Sequence, residues 1–116
     1  MVNEPLLGPL DGIRVLDLAT TFSGPFCGMQ LCQLGADVIK VEAPGGDITR
    51  SLGTSRNPGM ASVYLAVNSG KRSISLDLKQ DRGKEILFKL LAETDVLVHN
   101  MRTRATVSLG IDYRTR

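Results

Sequence analysis

Tryptophan is absent from the chain, and three Phe and two Tyr are its whole aromatic complement. A core built from this inventory has to be aliphatic. There is one histidine and there are two cysteines, so a His/Cys zinc cluster is not expected. Cys27 and Cys32 stand five positions apart in a segment read below as helix, about 140° apart around its axis. They can neither pair nor form a ligand fork, and are expected to be two small core residues in a reducing compartment. No apolar run approaches the roughly 18 residues that cross a bilayer. The opening residues also lack the basic and apolar regions of a secretion signal. The expectation is a soluble, cytoplasmic protein without membrane contact, with mitochondrial or peroxisomal residence left open.

What is present fits a folded unit. The 116 residues are 42% apolar and 22% charged, a globular composition and not that of a disordered chain. At roughly 100–200 residues per domain there is room for one compact unit, which excludes a two-domain enzyme. Net charge is only +2, yet residues 1–70 carry four bases and six acids while residues 71–116 carry ten bases and six acids. The later half suits an anion. No basic stripe interleaved with aromatics occurs, so nucleic acid is not an expected partner.

Along the chain, Ile13–Leu18 alternates in period two and predicts a strand that follows the turn residues Asp11-Gly12. Ser23 or Gly24 then serves as N-cap for a helix over 25–34, with Pro25 in its first turn and Gly35 as its stop. Gly24, Gly28, Leu31 and Gly35 fall near one stripe of that helix, which lets it lie close to a sheet. Asp37–Glu42 predicts a second strand, and a strand–helix–strand unit of this length predicts a right-handed parallel crossover. Residues 43–60 are rich in Gly, Pro, Ser and Thr and read as a long irregular loop of the functional or flexible kind. Ala61–Val67 is open between helix and strand. Ser73–Leu78 alternates as a third strand. Gln80–Thr94 is a helix with Ile86, Leu87, Leu90 and Leu91 on one face and a Glu85–Lys89 pair. Asp95–His99 is a short fourth strand, and 102–116 closes the chain as a weak helix or loop.

In an open parallel sheet, ligands sit beyond the carboxyl ends of the strands. That rule selects Ala19–Gly24, Glu42–Arg50, Lys79 and Asn100–Arg104. Two of these clusters are cationic, which favours a phosphorylated ligand. Glu42 stands where a ribose-binding acid of a dinucleotide fold would, but residues 23–28 read S-G-P-F-C-G. Neither the dinucleotide glycine spacing nor a P-loop is present. Thr20, Thr21 and Ser23 carry hydroxyls with no base fixed nearby. His99 is expected to be a hydrogen-bonded structural imidazole, and Asp17, Glu42, Asp77 and Asp95 are expected mainly as caps and turn formers.

Taken together, several segments resemble the N-terminal part of the class III CoA-transferases, the family of formyl-CoA:oxalate and carnitine CoA-transferases and of 2-methylacyl-CoA racemase. They are Pro9–Asp17, Gly24-Pro25-Phe26, Leu34–Glu42, Pro44–Asp47 with Arg50, Asn68, Lys71-Arg72-Ser73, Leu76–Lys79, Asp95–Val98 with Asn100, and Leu109-Gly110. The resemblance rests on their order and spacing over Pro9 to about Tyr113, since no one piece is diagnostic.

The resemblance implies an α/β fold: a Rossmann-like open parallel sheet with flanking helices, here the incomplete N-terminal portion of the family's large domain, with residues 1–116 as a single partial CoA-binding domain. It implies coenzyme A, delivered as an acyl-CoA, and a carboxylic acid as substrates, no metal, and an interlocked homodimer in the complete enzyme. The residues near CoA would be Thr21, Phe22 and Ser23, then Ala43, then Leu76 and Lys79, then Asn100 and Met101. The family often has a polar residue where Phe22 stands and Arg where Ala43 stands, so Arg102 or Arg104 would take over the lost cation. Cations and donors at strand ends also suit the phosphates of CoA on physical grounds, which supports Lys79 and Asn100 independently. The family's transferases use an Asp to attack the thioester, while its racemases move an α-proton. Those groups lie beyond residue 116, so the chain alone is expected to be inactive. A racemase-like fragment and a freestanding nucleotide- or CoA-binding module are the alternatives.

Overall fold

Strands and helices alternate through the computed structural model, which describes residues 8–114. In chain order they are β1 (Arg14–Asp17), α1 (Ser23–Gln33), β2 (Asp37–Glu42), a 3-10 turn (Ile48–Ser51), α2 (Ser62–Asn68), β3 (Arg72–Ser75), α3 (Asp81–Ala92), β4 (Val96–Val98) and α4 (Thr103–Leu109). The strands form one sheet in the order β3-β2-β1-β4, and every pairing is parallel. Val15 faces Val38 on one side and Val96 on the other. The chain therefore winds outward from β1 to β3 and then crosses back to lay β4 on the far side of β1. This is the open parallel α/β sheet expected, with β1 and β2 as its inner strands.

Alternation along the strands gives the sheet two different faces. Leu16 and Leu18 of the first strand and its exit, Val41 of β2 and Leu76 after β3 are buried together with Leu87 of α3, and Ile86, Leu90 and Leu91 pack against them. The helix period thus matches the strand period across one layer, and the core is aliphatic as the composition requires. On the opposite face Val15 and Val38 meet Leu31 and Cys32 of α1. The same face also carries Asp17, Lys40 and Glu42, all buried. Burying three charged side chains between a sheet and its helices requires a partner for each, and those partners shape the site described below.

The ends of the elements depart from the sequence reading for local reasons. β3 stops at Ser75 because, after the Leu76 N–H donates to Glu42 O at 2.9 Å, the Asp77 carboxylate accepts from Lys79 N at 3.1 Å and from Gln80 Nε2 at 3.2 Å. The chain turns there into α3. That helix closes at Ala92, where the Thr94 hydroxyl donates to Leu90 O at 2.7 Å. Asp95 is not part of β4, since its carboxylate accepts from Arg14 N at 2.8 Å. Asp77 and Asp95 are thus turn formers, as expected, and Lys89 lies 3.6 Å from Glu85. Ala61–Val67 resolves into α2, and residues 43–60 are less irregular than their composition predicts. Asp47 caps the 3-10 turn by accepting from Thr49 N at 2.9 Å. The closing segment contains the true helix α4, ended by Gly110 in the left-handed region; residues 115–116 lie outside the described residues.

Three further expectations need correction. Neither Ser23 nor Gly24 caps α1. Phe22 holds the cap position with no side-chain hydrogen bond, and Ser23 is the first helical residue. Thr21 turns the chain early with a φ of 73°, so the helix begins before Pro25. The proline is tolerated because the first i to i−4 bond, Phe26 N to Phe22 O at 2.8 Å, comes just after it. Cys27 is exposed, because the face of α1 turned to the sheet is filled by Pro25, Gly28 and Met29; Cys32 lies on that face, half-buried against Val15 and Val38, and both are free thiols. The small-residue stripe does bring the helix close: a Cβ on Gly28 would stand 2.7 Å from Asp17 Oδ2.

Candidate functional site

A cavity of about 500 Å³ opens beyond the carboxyl ends of the strands, on the α3 face. Leu18 and Thr20 after β1, Val41, Ala43 and Pro44 from β2, Leu76 to Lys79 after β3, and Met101 after β4 line it. The walls are mainly apolar. Lys79 is exposed and has no ion-pair partner among the described residues. The Asp77 carboxylate is turned back onto Lys79 N and Gln80. An apolar slot with one cation beside it accepts a flat apolar group attached to an anion, and the volume falls within the range of small-molecule sites.

The loop after β1 forms part of this wall and is held by side chains from several elements. Ala19 N donates to Asp17 Oδ1 at 2.8 Å, and Ala19 O accepts from Lys40 Nζ at 3.1 Å. Thr20 is bound on both sides by one amide: its N–H donates to Asn100 Oδ1 at 3.1 Å and its carbonyl accepts from Asn100 Nδ2 at 2.7 Å. Thr21 N donates to Asp47 Oδ2 at 3.3 Å. Thr21 is also the one non-glycine residue with positive φ among the described residues, a conformation costly for a β-branched side chain.

Behind the loop lies a buried polar layer on the α1 and α2 face. Lys40 Nζ and Asp47 Oδ2 are 3.0 Å apart with both side chains 1% exposed. Lys71 Nζ donates to Asp17 Oδ2 at 2.7 Å, to Pro25 O at 2.8 Å and to Asn68 Oδ1 at 2.8 Å. Arg50 grips Glu42 with a two-pronged pair, Nε to Oε1 and Nη2 to Oε2, both 2.7 Å, and the Ser73 hydroxyl donates to Glu42 Oε2 at 2.5 Å. No buried side-chain polar atom among the described residues lacks a partner. Burial pushes the Glu42 carboxyl up, but the bonds from Arg50, Ser73 and the Asp47 N–H outweigh it and bring the pKa to about 2. Burial likewise raises Asp47, and the donors of Thr49 together with Lys40 overcome it and hold the carboxyl below its usual range. Burial pushes the Lys71 ammonium down, against the upward pull of Asp17. Glu42 is therefore a member of an ion network, a correction to its reading as a cap or turn former, whereas Asp17 forms the expected turn by accepting from Ala19 N and also joins the network through Lys71.

Of the sequence-selected residues, Ala43, Leu76, Lys79 and Met101 come together on the cavity wall. Thr21, Phe22 and Ser23 do not line it; all three are exposed, and the Phe22 ring stacks on Phe26 with centroids 6.3 Å apart. Asn100 spends its amide on Thr20. Arg102 and Arg104 are exposed at the start of α4 and are not on the wall. His99 is exposed and accepts from Met101 N through Nδ1 at 3.1 Å, so it is hydrogen-bonded as expected without being enclosed. Sequence reasoning took Asp47 and Arg50 only as members of the Glu42–Arg50 ligand cluster and gave Lys40 and Lys71 no role, so it missed that all four belong to a buried ion network. The signal was present: a lysine in the middle of an apolar strand, and an acid and a base three positions apart in the loop that follows.

The CoA-transferase family III model matches residues 10–116. The chain belongs to that family. It is 47% identical over 106 residues to formyl-CoA:oxalate CoA-transferase of Streptomyces coelicolor, covering 90% of this chain and 25% of that protein. It is 41% identical over 113 residues to succinyl-CoA:mesaconate CoA-transferase of Haloarcula hispanica, covering 94% of this chain and 28% of that protein. Among solved structures, a CAIB/BAIF family protein from Brucella suis superposes with a TM-score of 0.88 at 42% identity, over 95% of this chain and 30% of that one. The chain thus spans between a quarter and a third of the length of these relatives, matching the resemblance to an N-terminal part. No helix among the described residues is long and apolar enough to cross a membrane, and no cluster of His, Cys, Asp and Glu among them could hold a metal.

Proposed function

We propose that residues 1–116 form the CoA-binding portion of a class III CoA-transferase, one that moves CoA between an acyl-CoA thioester and a carboxylic acid. The observation that carries this reading is the cavity at the carboxyl edge of the sheet, apolar on its walls with Lys79 unpaired beside it. In this reading the adenosine end of CoA lies against Leu18, Val41, Leu76 and Met101, and Lys79 meets a phosphate. Thr21, Phe22, Ser23 and Asn100 bound the loop that the rest of the ligand passes, and Arg102 and Arg104 supply positive charge at longer range. In the complete enzymes of the family the attacking Asp and the acyl pocket come from other segments, and the reading assigns residues 1–116 the binding of CoA and not the chemical step. The family relationship supports the transferase chemistry over a freestanding binding module.

Calorimetric titration with CoA, dephospho-CoA and NAD tests the reading. CoA is expected to bind more tightly than dephospho-CoA at low salt, with the difference shrinking as salt is raised, because a phosphate–lysine contact is screened. Lys79→Ala is expected to remove most of that difference. A preference for NAD, or equal binding of CoA and dephospho-CoA at low salt, would overturn it.

A further inference from the structure

The loop that walls the cavity is built in a conformation its sequence does not favour. Thr21 has a φ of 73°, and a β-branched residue left to itself populates that region rarely. Glycine would be the ordinary choice there. The turn is kept by groups from outside the loop: Asn100 binds both backbone groups of Thr20, Asp47 accepts from Thr21 N, and Lys40 donates to Ala19 O. Asn100 follows β4, Asp47 begins the 3-10 turn and Lys40 lies in β2, so three separated segments converge on three consecutive residues. Thr20 itself lines the cavity.

We infer that Asn100 and Asp47 are positioning residues, which act on the ligand through the backbone of Thr20 and Thr21 by holding this turn ready before the ligand arrives. The inference rests on the cavity being the ligand site proposed above. It assigns Asn100 a role through its contacts with the protein, since its carbonyl oxygen and one amide proton are engaged with Thr20. Releasing the clamp lets the loop relax toward ordinary conformations. The apparent dissociation constant then rises in proportion to the lost fraction of competent molecules.

Asn100 is exposed, so Asn100→Ala leaves no buried orphan and should fold. It is expected to weaken CoA binding about tenfold, the result of a competent fraction cut to about a tenth. Adding Thr21→Gly, which removes the penalty for positive φ, is expected to recover at least threefold of that loss, roughly half of it on a logarithmic scale. A residue that merely touched the ligand, or merely stabilised the fold, would not be rescued in this way. Hydrogen exchange of the free protein gives a ligand-independent reading: the Thr20 amide should be protected in the unmodified chain and exchange much faster in Asn100→Ala. Unchanged affinity in Asn100→Ala, or no recovery on adding Thr21→Gly, would overturn the inference. If the unmodified chain fails to bind CoA, the reading of the cavity falls, and exchange still decides the clamp, because a rapidly exchanging Thr20 amide refutes it.

Discussion

Lys40 offers the most direct test of the buried polar layer. Among the described residues it is the largest fully buried side chain, and its ammonium meets Asp47 at 3.0 Å and Ala19 O at 3.1 Å. Lys40→Met keeps a long unbranched side chain and removes the charge. Asp47 would then hold a carboxylate, 1% exposed, against the donors of Thr49 and Thr21 with no countercharge. Breaking a buried pair from one side costs about 3–5 kcal/mol, a large share of the roughly 5–15 kcal/mol that domains possess. At about 2.1 cal/mol/K per residue, the unfolding entropy of a chain this size converts that loss into a fall in Tm of roughly 12–20 °C. Urea unfolding followed by circular dichroism measures it, with an unchanged m value as the control that the unfolded state is the same. Lys40→Met/Asp47→Asn removes the stranded charge while retaining an oxygen for Thr49 N, and should regain at least about 1.5 kcal/mol over the single variant. A loss below about 1 kcal/mol in Lys40→Met, or simple additivity in the double variant, would refute the claim that the pair is electrostatically closed.

Acid should unfold the protein through the same layer. The Glu42 pKa is depressed from 4.5 to about 2 and that of Asp47 is lowered as well, so their stabilisation is complete above their unfolded values. It is lost as pH falls from about 4.5 toward 2 for Glu42. Urea midpoints measured between pH 7 and 3 should fall over the acid part of that range, and Glu42→Gln should flatten the descent; an unaltered descent would remove Glu42 from the explanation. Gly28→Ala would place a Cβ 2.7 Å from Asp17 Oδ2 and 3.3 Å from Lys71 Cε, and neither buried side chain has room to yield. A loss of about 1–3 kcal/mol in thermal unfolding is expected, whereas a neutral result would mean that α1 can lift off the sheet. Leu87, 0% exposed at the centre of the α3 layer, should lose about 2–5 kcal/mol on change to Ala, read by the same unfolding assay.

Where one periodicity dominated, the sequence was legible. The strand pattern of Val15-Leu16-Asp17 and Val38–Glu42 and the apolar face of Ile86, Leu87, Leu90 and Leu91 each predicted an element that the structure contains. The carboxyl-edge rule selected Ala43, Lys79 and Met101, the family resemblance added Leu76, and all four line the cavity. What was not legible depended on contacts between distant segments. Lys71 and Asp17 are 54 positions apart, and Asn100 and Thr20 are 80 apart. No local pattern reports such pairs. Ser23 was misread for the same reason: its composition suits an N-cap, but the cap position is set by where Asp47 and Asn100 make the chain turn, one residue earlier.

The two faces of the sheet divide the work of making a site. The α3 face is apolar to its edge, so it ends in an open slot that a ligand can fill. The α1 and α2 face is ionic to its edge, and its charges are consumed in fixing backbone: Asp17 takes Ala19 N, Lys40 takes Ala19 O, and Asp47 takes Thr21 N. A buried ion network is a poor source of net stability, because an apolar packing of equal volume often does as well. It does possess directional donors and acceptors at fixed depth, which an apolar layer lacks. A strained turn at Thr21 needs such groups, since dispersion contacts alone do not choose between two loop conformations of similar packing. The charge on this face is therefore best understood by its effect one layer away. It sets the shape of that part of the wall which Leu18 and Thr20 supply, two residues that carry no charge themselves.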